Sequence, residues 1–350
     1  MRAWMLLPLC GSAALAGETD VDAVRAMVAE AMADAQARTS LTSAVAGHDG
    51  KFFIASEDGD FRLSIYGFTQ FRYTANWADV PPGGDDFEGG FSIPRSRLFF
   101  DGKLWEDIAY RVRFGFLESG GDARLEQAFF TFSLPEDWKL RAGQFQLALF
   151  RDEYIEAPRQ LAVNASAVNA LFGQGQSQGV QLARQWEDVR VWGAFSDGLR
   201  TNNTPFGGNN ADAALTGRVE WKAAGEWARF DDYTSFRGSD FALMVGLAGH
   251  WETQRPELAQ LATDHLVYVT ADIGIEGDGW NAFVAGVYAY REGALADDPT
   301  ISTTNDAGLI VQGGFFLTDH WEVFARYDHY FADDDYATVD DASTYTAGVN

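Results

Sequence analysis

The stretch "FGQGQSQGVQLARQW", residues 172–186, contains Gly175-Gln176-Ser177-Gln178-Gly179, a literal G-x-S-x-G. In a hydrolase that spacing can hold a serine nucleophile on a sharp turn between a strand and a helix. The chemistry needs the helix directly after the turn. Here "GVQLARQW" alternates apolar and polar residues in the manner of a strand. No local pattern places a His or Asp to complete a triad, and His48, His250, His265, His320 and His329 fall in no metal-binding spacing. Ser177 is therefore expected to be a loop residue without a catalytic role, and no cofactor or metal is implied.

The arginines form a more regular set. Arg outnumbers Lys by 22 to 4. The alternating segments 61–74, 92–104, 108–117, 124–134 and 138–147 hold ten basic residues and two acids, Asp101 and Glu126. By strand parity Arg62, Arg72, Arg95, Arg97, Arg111, Arg113 and Arg141 lie opposite the apolar residues. A guanidinium stays charged in almost any surroundings and grips an oxyanion through two parallel bonds. Two readings stay open. One is an electropositive stripe that guides anions along an aqueous channel. In the other, the arginines pair with loop carboxylates and stiffen a wall.

Which elements hold these residues follows from composition and period. The chain has 350 residues, 14% of them aromatic, with 36 Gly and only 9 Pro. Its net charge of -25 and pI near 4.4 exclude a nucleic-acid partner, which would need a basic face. "MRAWMLLPLCGSAALAG" has a basic start, an apolar run and a small-residue end, as in a secretory signal peptide over residues 1–16. The alternative is a lipoprotein signal with Cys10 as the lipidated residue, although Leu9 is large for the position before such a cysteine. Without residues 1–16 the protein has no cysteine.

Residues 20–38, "DVDAVRAMVAEAMADAQAR", predict a helix, either a spacer or an oligomerisation element, and "TSLTSAVAGHDGK" a linker. Residues 17–60 are thus expected to be a periplasmic helix and linker. No later stretch has eighteen uninterrupted apolar residues, so no helical membrane span is expected.

From residue 61 the period is two. About fourteen segments of roughly ten residues follow, from "FRLSIYGFTQFRYT" to "STYTAGVN", joined alternately by tight turns and by long acidic or Gly/Asn-rich loops. That is the signature of an antiparallel transmembrane β-barrel, here an all-β fold over 61–350. A propeller would repeat every 40–50 residues, and a sandwich would use strands about half as long. Trp77, Trp105, Trp138, Trp186, Trp221, Trp251, Trp280 and Trp321 cluster at segment ends, where two membrane interfaces select amphipathic rings. A charge on the lipid face at mid-membrane costs about 2–4 kcal/mol, so the arginine face must turn into the lumen.

One region carries a more specific resemblance. The strand ending "LRAGQF", the loop-opening "FRDEY", the "VNALF" within that loop and the following "GVQL" resemble the phosphate-selective porin O and P family of bacterial outer membranes. Upstream "YGFTQFRYT", "IPRSRLFFDGKL" and "YRVRFGF" fit the same pattern. The resemblance is close over 61–250 and rests on pattern alone beyond.

It implies a sixteen-stranded, trimeric barrel in outer-membrane lipid of a Gram-negative-type bacterium. It also implies that residues 150–178 fold inward as a constriction loop carrying Arg151, Asp152, Glu153 and Arg159. The implied function is passive diffusion of small hydrophilic or anionic solutes. Porins of the phosphate-specific type are expected to place lysines at the constriction, and 150–178 has none. A weakly anion-preferring or general pore is therefore expected over a strict phosphate channel. The alternative from another class is a barrel serving as a structural or lipid hydrolase-like scaffold. Fourteen strands fall short of sixteen, and "STYTAGVN" lacks a terminal aromatic. Two strands are accordingly expected beyond Asn350, with residues 61–74 poorly bridged.

Overall fold

The computed structural model describes residues 44–77, 87–208, 211–254, 262–294, 303–334 and 340–350, with residues 26, 29 and 30 helical upstream. The expected signal peptide and the remainder of the 20–38 helix lie outside the described residues.

The chain forms one antiparallel sheet in which each strand bonds to the next. The order is β1 (Val45–His48), β2 (Phe52–Ala55), β3 (Phe61–Trp77), β4 (Phe87–Leu104), β5 (Ile108–Phe116), β6 (Ala123–Ser133), β7 (Lys139–Phe145) and β8 (Ser177–Gln185). It continues through β9 (Val189–Ser196), β10 (Ala211–Ala224), β11 (Ala242–Gln254), β12 (Ala262–Gly277), β13 (Trp280–Ala294), β14 (Thr303–Phe316), β15 (Glu322–Phe331) and β16 (Ala342–Val349).

The fourteen segments read from the alternation are β3 to β16. Among the described residues the strand count is nevertheless sixteen, which corrects the expected fourteen. Residues 45–55, expected to be linker, form a hairpin (Val45↔Ala55, His48↔Phe52) that docks on β3 through Phe52↔Ile65 and Ala55↔Arg62. Strands of four residues hold too few alternating positions to stand out from a linker. On that side β3 is bridged only over Arg62–Ile65. β16 pairs with β15 (Val323↔Val349), and among the described residues no ladder joins it to β1 or β3.

The burial pattern is inverted relative to a soluble protein. Along β10, Leu215, Val219 and Trp221 are 54%, 42% and 53% exposed, while Arg218, Glu220 and Lys222 are buried. β11 and β12 repeat this, with Val245, Leu247, Trp251 and Val269 outside and His250, Glu252 and Asp272 inside. Apolar side chains outward and charges inward suit a wall between lipid and an aqueous interior. Trp77 and Trp251 lie toward the long-loop end, and Trp105, Trp186, Trp280 and Trp321 toward the tight-turn end, all of them exposed. They form two interfacial belts.

One segment shows that the sheet curls into a barrel. The connection between β7 and β8 hydrogen-bonds to Arg97 on β4 and Arg113 on β5, and also to Arg326 on β15. Strands far apart in the order touch the same loop, so the wall encloses it. Inside, Leu149, Phe150, Ile155, Leu161, Val168 and Phe172 of this loop pack on inward residues of β11 to β15, among them Tyr268, Phe283, Val287 and Ile310. This apolar core fills one side of the lumen and leaves the β3–β8 side polar.

Candidate functional site: an arginine wall facing the constriction loop

The inward rows of β3, β4 and β5 lie in register, with Gln70↔Arg95, Phe68↔Arg97, Phe99↔Arg113 and Asp101↔Arg111. Parity alone thus brings the arginines onto one face. Their partners differ. Arg62 pairs with Asp49 of the β1–β2 turn at 2.5 Å, and Arg111 with Asp101 at 2.8 Å. Arg72 lies 4.0 Å from Glu118 and donates to Asn164 Oδ1 in the loop at 3.4 Å.

Arg97 and Arg113 share two carboxylates. Each Nε lies 2.8 Å from Glu126 Oε2, close but not aligned as a hydrogen bond. Each Nη1 hydrogen-bonds to Glu156 of the loop, Arg97 at 3.2 Å and Arg113 at 2.6 Å. Glu126 reaches this position through a β-bulge. Arg113 pairs with Gln127 but Phe114 with Leu125, which leaves Glu126 as the extra residue. Gly115 makes the space, since a Cβ there would sit 2.3 Å from Glu126 Oε1.

Two of the seven wall arginines make no direct ion pair with a carboxylate among the described residues. Arg95 donates to Gln70 Oε1 at 3.1 Å and to the Val163 carbonyl at 3.5 Å. Arg141 stacks over Phe129 at 4.5 Å, and its Nε has no hydrogen-bond partner. Arg95, Arg97 and Arg113 line a cavity of about 180 Å³ with the acids Asp152, Glu153 and Glu156 and with Gln146, Gln160, Asn169 and Gln176.

The constriction-loop residues named from sequence turn out to anchor the loop. Arg151 is buried, and its Nη2 donates to the Phe230 carbonyl. Asp152 is buried and accepts from the Ser166 amide at 3.0 Å; burial raises its pKa. Glu153 accepts from the amides of Gln174 and Gly175, and burial pushes its pKa up to about 7 against those two donors. Only Arg159 is exposed, 3.9 Å from Asp231. The residue this loop turns toward the wall arginines is Glu156. In sequence it is one acid among three, and nothing in spacing separates it from Asp152 or Glu153.

Sequence reasoning also missed a buried network on the facing wall. Glu220 lies 2.6 Å from Arg190, 2.8 Å from Arg218 and 3.7 Å from Arg151, and it accepts from Tyr154 Oη at 2.5 Å. Asp272 pairs with Arg218 at 2.8 Å. A second inward segment, the β10–β11 connection at 225–241, enters from the tight-turn end and buries Trp227, Phe230 and Tyr233. Its Tyr233 amide donates to the Arg159 carbonyl. The two segments meet inside the barrel. The signal for the second was present as a long aromatic connection where short turns are the rule.

Ser177 opens β8, paired with Phe145, and a strand follows it where a nucleophile elbow needs a helix. It is a buried strand residue, which corrects the loop expected at that position.

Among curated proteins, none matches the chain. The fold is similar to the outer membrane channel DcaP of Acinetobacter baumannii, with a TM-score of 0.53 and 14% identity over 84% of this chain and 92% of that one. It is also similar to Salmonella typhi OmpF in complex with daunomycin, with a TM-score of 0.54 and 10% identity over 83% and 86% of the two chains. At such identities the likeness speaks for the barrel fold. The family model described as phosphate-selective porin O and P matches residues 69–350. The chain belongs to that family and is a porin of the outer membrane of a Gram-negative-type bacterium.

Proposed function

We propose that the protein is a passive diffusion channel for small hydrophilic solutes with a preference for anions, in which the β3–β8 side of the lumen is the conducting path. The observation that carries this reading is the pair Arg95 and Arg141. They are the wall arginines that make no direct ion pair with a described carboxylate, and both face the polar side. A fixed cation in a narrow, partly dehydrated passage lowers the barrier for an anion and raises it for a cation. The remaining wall arginines act mainly as structural pairs. Arg151, Asp152 and Glu153 anchor the loop that shapes the constriction. Assembly as a homotrimer belongs to the same reading and follows from the family.

The test is conductance in a planar bilayer. Discrete steps and a zero-current potential of anion-selective sign in a KCl gradient are expected. Replacing Arg95 and Arg141 together by Gln should move that potential toward cations. A channel without steps, or a potential unmoved by the double substitution, would overturn the reading.

A further inference from the structure

The geometry points to Glu156 as a tethered carboxylate that occupies an oxyanion site formed by Arg97 and Arg113, so that this side chain sets the channel's selectivity. The inference rests on the anion-channel reading and adds a ligand class, small carboxylates. Glu156 presents one oxygen to each arginine, Oε2 to Arg97 at 3.2 Å and Oε1 to Arg113 at 2.6 Å. A planar two-oxygen anion bridging two guanidinium groups is how a free carboxylate would be held there. Glu126 belongs to the wall itself and meets the same arginines only through their Nε, without aligned hydrogen bonds. It positions the pair and leaves each Nη1 directed at the lumen.

The occupant is delivered by the loop. Ile155 is buried in the apolar core, and the Gln160 side chain donates to the carbonyls of Asp152 and Ile155, which fixes the backbone just before Glu156. The site is largely desolvated on the wall side, since the Arg113 side chain is only 2% exposed. Around it Gln146, Gln160, Asn169 and Gln176 share the cavity of about 180 Å³ and supply neutral donors and acceptors, while the two acids that also line it, Asp152 and Glu153, are held by the amides of Ser166, Gln174 and Gly175. They would suit the body of a small carboxylate beyond its charged end. With Glu156 in place, Arg97, Arg113, Glu126 and Glu156 sum to zero charge. An arriving anion meets a filled site and passes under the pull of Arg95 and Arg141. Without the Glu156 carboxylate, the same arginines become an open receptor.

The experiment compares the full-length protein with Glu156→Gln and, as a control for net charge, Glu118→Gln. Glu118 also lies beside a wall arginine, 4.0 Å from Arg72, but outside the shared pair. In a KCl gradient Glu156→Gln should raise the anion-to-cation permeability ratio at least about threefold, as expected for one unit charge a few ångströms from the path. Potassium acetate should then block chloride current saturably in Glu156→Gln, at concentrations about tenfold below those needed in the parent. Inorganic phosphate, run in parallel, should block less well if the site is shaped for a carboxylate.

If Glu156→Gln does not assemble, Glu156→Ser removes the same carboxylate and should give the same shift. An unchanged ratio and unchanged acetate block overturn the inference, and so does an equal effect of Glu118→Gln. If those fail while Arg95→Gln with Arg141→Gln still moves the potential, the channel reading stands without a Glu156 site. If neither set moves it, the anion reading itself has failed.

Discussion

Arg218 and Glu220, two residues apart on β10, face each other across 2.8 Å inside the barrel wall, and neither side chain is exposed. Glu220 also holds Arg190, Arg151 and Tyr154, so one carboxylate ties the wall to the inward β7–β8 loop. Removing one partner of a buried ion pair leaves an uncompensated charge and costs about 3–5 kcal/mol. Glu220→Ala is expected to lower the urea midpoint of the folded barrel and to raise single-channel conductance as the loop loosens. An unchanged midpoint would show that water or another group takes over the three arginines.

Phe172 anchors the far end of the same loop. It is buried, with ring centroids 6.1 Å from Tyr268 and 6.0 Å from Tyr330. A buried Phe→Ala change costs about 3–5 kcal/mol. Phe172→Ala should release the loop from β12 and β15 and increase conductance while far-ultraviolet circular dichroism stays that of the barrel. A conductance equal to the parent's would place the narrowest point elsewhere.

Glu153 makes loop closure depend on pH. Burial raises its pKa to about 7 from an ordinary carboxylate value, so the closed loop favours the protonated form. Its contribution to closure is complete below the ordinary value and is lost as pH rises through about 7. Conductance should therefore increase between pH 5 and 8, and Glu153→Gln should flatten that profile. The reading fails if the parent profile is already flat over this window.

The anion preference should also fade with salt. Screening shortens from about 10 Å at 0.1 M to about 3 Å at 1 M, which cuts the reach of Arg95 and Arg141 into the path. Zero-current potentials at a fixed tenfold gradient but rising mean concentration should approach the unselective value. Persistence of full selectivity at molar salt would indicate direct ligation of the ion.

The period-two alternation, with most strand charges on one parity, was enough to settle the barrel. In lipid an outward charge is costly and an open backbone more so, so local pattern and global architecture say the same thing. For the same reason the face of every wall arginine was legible, and register then placed Arg95, Arg97, Arg111 and Arg113 together. The β1–β2 hairpin was not legible, since it has too few residues to show a period.

Nor were the partners. Whether Arg113 meets Glu126, Glu156 or water depends on a bulge at Glu126, on the missing side chain at Gly115 and on how a thirty-residue loop packs through Ile155 and Phe172. Loop conformation is set by contacts distant in sequence, which carry no local signature. Parity in the sequence placed the seven wall arginines on one face of the sheet. Only the tertiary structure decided which of them are neutralised, because that is a matter of a few ångströms between residues far apart in the chain.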